Sequence, residues 1–224
     1  AGMAADEAEG YEGDSYYEKA TALAGTYALL GDYDRALSEL GEWRNRFAKK
    51  YPDDPTFAIG LHVRLLARSG DYEEARKQLE IYRKDVEGYD KSYGRWYSHM
   101  LGEVAFAEGQ ADSAIVRFEE LAETHEGFYL GFYLARSYLE ANRVIEAINE
   151  FERLLRRYSE DRATNPVEGV LLYYYLATGY ERAGKPEKAA ANYERFLEFW
   201  GDSDTDLEEI RDARARLASL RQTG

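Results

Sequence analysis

One short phrase recurs five times along the chain and leaves few folds open: a small turn residue, a polar stretch, then an alanine five positions on. Its instances are Gly31 with Ala36, Gly70 with Ala75, Gly109 with Ala114, Asn142 with Ala147 and Gly184 with Ala189. The first position suits a left-handed backbone at a helix C-terminus, which glycine adopts without a Cβ clash and asparagine tolerates better than most residues. Upstream lie apolar residues of helical period: Leu23, Ala24 and Tyr27; Leu101, Gly102 and Ala105; Leu134, Ala135 and Tyr138; Leu176, Ala177 and Tyr180. Downstream, each alanine is followed by a large apolar residue four on and another three later: Leu40 and Trp43, Leu79 and Tyr82, Phe118 and Leu121, Phe151 and Leu154, Tyr193 and Phe196. Each phrase therefore marks the bend of a helical hairpin, with a helix A before it and a helix B after it. Ala24, Gly102, Ala135 and Ala177 supply the small contact surfaces that let two helices approach to about 8 Å.

At these residues the pattern resembles the tetratricopeptide repeat family, over roughly Ser15 to Trp200. The turn residues lie 39, 39, 33 and 42 positions apart, against a family period of about 34. The extra residues fall around Lys49 to Asp54, Val86 to Lys91 and Ser159 to Asn165, which are polar stretches marked by Gly or Pro. The expected fold class is all-α, a right-handed α-solenoid of about five hairpins over 15–50, 54–87, 92–125, 127–160 and 166–200. Residues 1–14 read as a flexible acidic, Gly-rich linker, too poor in large apolar side chains to order itself. Ser15 with Glu18, Asp71 with Glu74 and Asn165 with Glu168 have capping-box spacing, and Pro55 and Pro166 stand where a first-turn proline is tolerated. His62 and Val63 occupy positions where the family has Leu and Gly, which predicts a locally irregular helix A in the second repeat. Thr205 with Glu208 opens a last helix over 204–221. Its stripe of Leu207, Ile210, Ala213, Leu217 and Leu220 suits a terminal cap, because a helical stack needs a polar end to stay soluble.

The search for chemistry returns little. His62, His99 and His125 are the only imidazoles, and none has the i, i+4 spacing of paired metal ligands, so no metal site and no cofactor is expected. Without cysteine there is no thiol nucleophile or zinc-thiolate site, and neither phosphate-binding glycine loop nor a Gly-x-Ser-x-Gly elbow occurs. The formal charge of -14 argues against a nucleic-acid partner, which requires a basic face. No run of about 18 apolar residues spans a membrane. Gly127 and Gly131 have the spacing of a membrane dimer motif, but in so short a segment close packing explains them better. The expectation is a non-catalytic module for protein binding or scaffolding.

The resemblance also implies where a partner would lie, since helix A lines the concave surface in that family. Carried onto this register, the groove residues are Thr21, Gly25 and Ala28 in repeat one and Phe57, Arg64 and Arg68 in repeat two. Repeat three supplies Trp96, His99, Glu103 and Phe106, repeat four Tyr129, Phe132, Arg136 and Leu139, and repeat five Leu171, Tyr174, Thr178 and Arg182. Aromatic residues beside arginine are the composition of interface hot spots. Converging guanidinium forks would favour a protein or peptide bearing an acidic or carboxylate group. The alternative is that Trp96, Tyr129 and Phe132 pack between repeats.

Further resemblances point two ways. Tyr193 to Leu220 is similar to repeats that follow bacterial serine/threonine kinase or regulatory domains, whereas Phe47 to Pro55 is similar to an inter-repeat phrase of periplasmic tetratricopeptide lipoproteins. Cytoplasm and periplasm both fit a chain without cysteine. The opening Ala1, Gly2, Met3 reads as a mature or excised fragment, and the first hairpin, which lacks an N-terminal cap, suggests an upstream domain or a homodimer through that hairpin.

Overall fold

The computed structural model describes residues 12–50, 58–85, 91–157, 165–201 and 207–223. Among these, every regular element is an α-helix. The chain divides into two compact units, residues 1–108 and 109–224. The first holds α1 (Glu12–Leu29), α2 (Tyr33–Lys50), α3 (Ile59–Ser69), α4 (Tyr72–Asp85) and α5 (Lys91–Ala107). The second holds α6 (Ala111–Ala122), α7 (Phe128–Glu140), α8 (Val144–Arg156), α9 (Pro166–Arg182), α10 (Pro186–Trp200) and α11 (Glu208–Thr223).

The recurring turn does what its chemistry requires. Gly31, Gly70, Gly109 and Gly184 have φ of 76°, 89°, 75° and 67°, and Asn142 joins them at 59°. Four of these bends close with the same pair of backbone bonds. The N–H after the turn residue reaches the carbonyl five positions back, as from Asp32 to Tyr27 at 2.9 Å and from Arg143 to Tyr138 at 2.8 Å. The turn residue itself donates to the carbonyl three back, as from Gly184 to Glu181 at 3.0 Å. Two otherwise orphaned helix-end carbonyls are satisfied each time. The five repeat alanines, Ala36, Ala75, Ala114, Ala147 and Ala189, are all 0% exposed, so a single methyl is all that fits where the two arms of a hairpin meet.

In the first unit α1 pairs with α2, α2 with α3, α3 with α4, and α5 lies against both α3 and α4. Ala24, Ala36, Leu40, Trp43 and Leu65 make one core cluster, and Val63, Leu66, Leu79, Tyr82, Met100 and Val104 a second, with Leu37 packed against both. In the second unit each helix from α6 to α11 packs on its successor, and α7 also meets α9. Gly131 sits so close to α8 that a Cβ there would lie 2.7 Å from Glu150 Oε1 and 2.9 Å from Leu154 Cδ2, which explains the glycine by packing.

Several expectations change. α1 already begins at Glu12 and runs through Ser15, so residues 12–14 belong to a helix rather than a linker and Ser15 is not its cap. Asp71 does cap α4, accepting from the Glu74 N–H at 3.1 Å, and Asp32 caps α2 in the same way through Arg35 N–H at 3.1 Å. Asn165 stands before α9 with no side-chain capping bond, while Pro166 occupies the first turn. α3 is a regular helix; the irregularity lies just before it, at Ala58, whose φ is 51°. Val63 fills the small-residue slot as a core side chain, and His62 is held by the Arg44 guanidinium, which donates to its Nδ1. α11 runs from Glu208 to Thr223 and buries Ile210, Ala213 and Leu217, with Leu207 buried just before it. Pro55, Phe57 and Thr205 lie outside the described residues.

Candidate interaction surface

Helix-A positions of the first unit converge on a buried carboxylate. Glu103 of α5 is 5% exposed, and Arg64 of α3 grips it with both edges of its fork: Nε donates to Oε2 at 2.6 Å and Nη2 to Oε1 at 3.2 Å. One turn earlier on α5, His99 Nδ1 lies 3.0 Å from Oε1. Burial alone would raise the Glu103 pKa, but the Arg64 charge and the His99 hydrogen bond outweigh it and hold the carboxyl well below its ordinary range. Trp96 stands at the edge of this group, its ring tilted against His99 at 6.1 Å between centroids, and is 59% exposed. Arg68 is exposed and Phe106 half-buried. Arg64 is thus engaged inside the fold, with its fork already filled by Glu103.

The second unit sorts its helix-A residues differently. Phe132 is 1% exposed and meets Phe128, Phe151 and Tyr175 at ring separations of 6.3, 6.3 and 5.9 Å. It is a core residue, which corrects its placement in a groove; Leu139 and Leu171 are buried as well. Tyr129 is half-buried, 4.8 Å from the ring of Tyr133. Arg136, one turn after Phe132, lays its guanidinium 4.3 Å from the Tyr175 centroid and 5.9 Å from those of Phe132 and Tyr133. Such stacking fixes the plane in which the N–H groups of the fork lie.

Repeat five departs furthest from expectation, because α11 occupies the face that helix A would otherwise present. Tyr174 donates its hydroxyl to Asp212 Oδ2 at 2.7 Å, and Asp212 also receives Arg216 at 2.5 Å. Arg216 continues to Glu181 at 3.1 Å, and Glu181 accepts from the Tyr193 hydroxyl at 3.0 Å, beside a buried Thr178. Desolvation, then the Asp212 hydrogen bond, pushes the Tyr174 phenol far upward. Arg182 donates to the Leu139 carbonyl at 2.7 Å, tying α9 to the end of α7. These two groove candidates serve the packing of the stack.

Other contacts were absent from the sequence reading. Tyr138 donates to Glu119 at 2.7 Å and Tyr180 donates to Glu152, joining each helix A to the helix B before it. Desolvation and the Glu152 bond push Tyr180 up to about 12. The available signal was a tyrosine four residues before the turn together with a glutamate five after the repeat alanine. A cleft of about 160 Å³ lies between the end of α6, Gly131 and the Glu150–Arg153 ion pair, smaller than the usual pocket for a metabolite. Among the described residues no cluster of His, Asp and Glu could hold a metal, and no helix is long and apolar enough to cross a membrane.

A tetratricopeptide repeat family model matches residues 129–161 and 172–203, the segments of α7 with α8 and of α9 with α10. The fold is also that of a thermophilic TPR protein of Thermus thermophilus, at a TM-score of 0.63 and 19% identity over 92% of this chain and 99% of that one. Residues 129–161 and 172–203 are therefore tetratricopeptide repeats, set in an all-helical repeat fold. No curated protein matches it in sequence. Tetratricopeptide repeats generally mediate protein–protein interaction or scaffolding, bind protein partners and are typically non-catalytic.

Proposed function

We propose that this chain is a scaffold whose second unit holds a protein segment bearing an acidic side chain or a free carboxylate, with Arg136 as the anchor. The observation that carries this reading is the stacking of the Arg136 guanidinium on Tyr175, with Phe132 and Tyr133 behind it. Stacking removes most of the rotamer freedom that an arginine loses on binding, so a two-pronged bond to carboxylate forms at lower entropic cost. Tyr129, half-buried on the same helix, offers adjoining aromatic surface of the kind enriched at hot spots.

Peptide-display selection on the full chain tests this reading. The expected outcome is enrichment of peptides with an acidic residue or acidic C-terminus, weakened about tenfold or more by Arg136→Ala and by amidation of the peptide carboxylate. Enrichment with no carboxylate preference, or unaltered by Arg136→Ala, would refute it.

A further inference from the structure

Two junctions between successive repeats are built alike. Tyr138 donates to Oε1 of Glu119 on α6, and Tyr180 donates to Oε1 of Glu152 on α8. Both tyrosines stand four residues before their left-handed turn residue, and both glutamates stand five after the alanine of the preceding repeat. Four residues before each glutamate is a buried isoleucine, Ile115 or Ile148, and Ile148 lies directly against Gly179 of α9. A cation sits over each tyrosine ring: Arg143 is 4.6 Å from the Tyr138 centroid, and Lys188 is 5.1 Å from that of Tyr180.

The α1–α2 hairpin carries the receiving half of the same junction. Tyr27 stands four residues before Gly31, and Arg35 lies 5.0 Å over its ring. The sequence offset from Tyr27 to Arg35 equals that from Tyr180 to Lys188. Leu23 is the register equivalent of Leu134 and Leu176, yet it is 44% exposed where they are 6% and 2%. Leu30, in the turn that follows α1, is also exposed. Among the described residues no carboxylate meets the Tyr27 hydroxyl.

We infer that this face of α1 docks an α-helix of a partner protein, one presenting an aliphatic residue to Leu23 and, four positions on, a glutamate to Tyr27 and Arg35. The two internal junctions supply the pattern: in each, a tyrosine at this register receives a glutamate whose own helix carries a buried isoleucine four residues earlier. Among the described residues a second copy offers this spacing on an exposed face at Val116 and Glu120 of α6, and the self-association measurement below separates it from a partner protein. Elsewhere, Glu119 and Glu152 are taken by tyrosines, Glu194 by Arg221 of α11 at 2.7 Å, and Glu80 by Arg83 on its own helix. The inference does not rest on the Arg136 reading, and its test touches none of those residues.

The probe is a helix-stabilised peptide of residues 144–157, which carries Ile148 and Glu152, titrated into the full chain and followed by fluorescence anisotropy. Saturable binding is expected. It should weaken about tenfold for Tyr27→Phe protein or for Glu152→Gln peptide, the loss of one hydrogen bond to a charged group. It should disappear for Leu23→Glu, with far-UV circular dichroism confirming that each variant stays helical. No saturation by about 1 mM, equal affinity for the Glu152→Gln peptide, or undiminished binding to Leu23→Glu would overturn the inference. A concentration-dependent dimer of the chain that Leu23→Glu dissociates would assign the face to a second copy and overturn it as well.

Discussion

Replacing Glu103 by glutamine keeps its shape and removes its charge, leaving the Arg64 fork against a neutral amide in a nearly dry site. At the separations of 2.6 and 3.2 Å, the attraction between the two charges is about 5 kcal/mol at an effective dielectric of about 20. Much of that is cancelled by the cost of dehydrating both groups. Breaking a buried pair from one side costs roughly 3–5 kcal/mol, and because a quarter of the Arg64 side chain reaches solvent, the lower end, about 3 kcal/mol, is expected. Arg64→Met with Glu103→Leu removes both charges together and should cost only about 0–1 kcal/mol, about 2–3 kcal/mol less than Glu103→Gln alone. Urea unfolding of the three proteins at pH 7, monitored by circular dichroism and by hydrogen exchange in α3 and α5, measures this. The carboxylate's depressed pKa adds a second readout. Its stabilisation is present above the unfolded value near 4.5 and is lost as pH falls through the native one, so Glu103→Gln should flatten the acid limb of the stability curve. A loss below about 0.5 kcal/mol for Glu103→Gln, or a double variant no more stable than Glu103→Gln, would refute the reasoning.

Burial, with the Arg44 charge beside it, pushes the His62 imidazole down to about 4. Between about pH 6.5 and 4 the unfolded chain therefore binds a proton that the native one refuses, and stability falls as pH falls; His62→Gln should remove about 1–2 kcal/mol of that slope, read from urea midpoints at pH 7 and 5. Gly131→Ala places a methyl within 3.0 Å of Glu150, Leu154 and Arg153 and should destabilise by about 1–2 kcal/mol despite the better helix former. Gly25→Ala, with nothing within 4 Å of the added carbon, should instead stabilise by about 0.5–1 kcal/mol, and thermal melts of the pair give the two signs. Tyr174→Phe removes the bond to Asp212 and should accelerate hydrogen exchange throughout α11 by about tenfold; exchange unchanged in α11 would mean that its apolar stripe alone sets its stability.

The bends of this fold were legible because each is decided by one residue. A left-handed position admits few side chains, so Gly31, Gly70, Gly109, Asn142 and Gly184 announce themselves, and the alanines after them mark where helices cross. What lies opposite a helix-A residue is not local information. Phe132 and Arg136 are one turn apart on the same helix, yet the first is sealed by Phe151 and Tyr175 while the second rests on top of that cluster. Tyr174 has the register of a surface residue until α11 arrives, and Arg64 finds Glu103 across a sequence separation of 39. In sequence Arg64 and Glu103 read as groove residues, because a charge on a helix face looks the same whether it meets a ligand or the next helix. Asn165 shows the converse, a capping signature whose side chain makes no capping bond.

The polar contacts that hold α11 are spaced along its axis: Asp212 to Tyr174, Arg214 to the Gly201 carbonyl, Arg216 to Glu181, and Arg221 to Glu194. A force applied at the C-terminus would load them one after another, Arg221 first, in the manner of a zip fastener rather than a rivet. Each clasp would yield before the next took the strain, so α11 should peel away at low load while the hairpin of α9 and α10, joined along its full length, resists. Tension from the C-terminal side is thereby converted into exposure of Tyr174, Thr178 and Glu181, a mechanical route by which this repeat stack could uncover a face that it otherwise keeps closed.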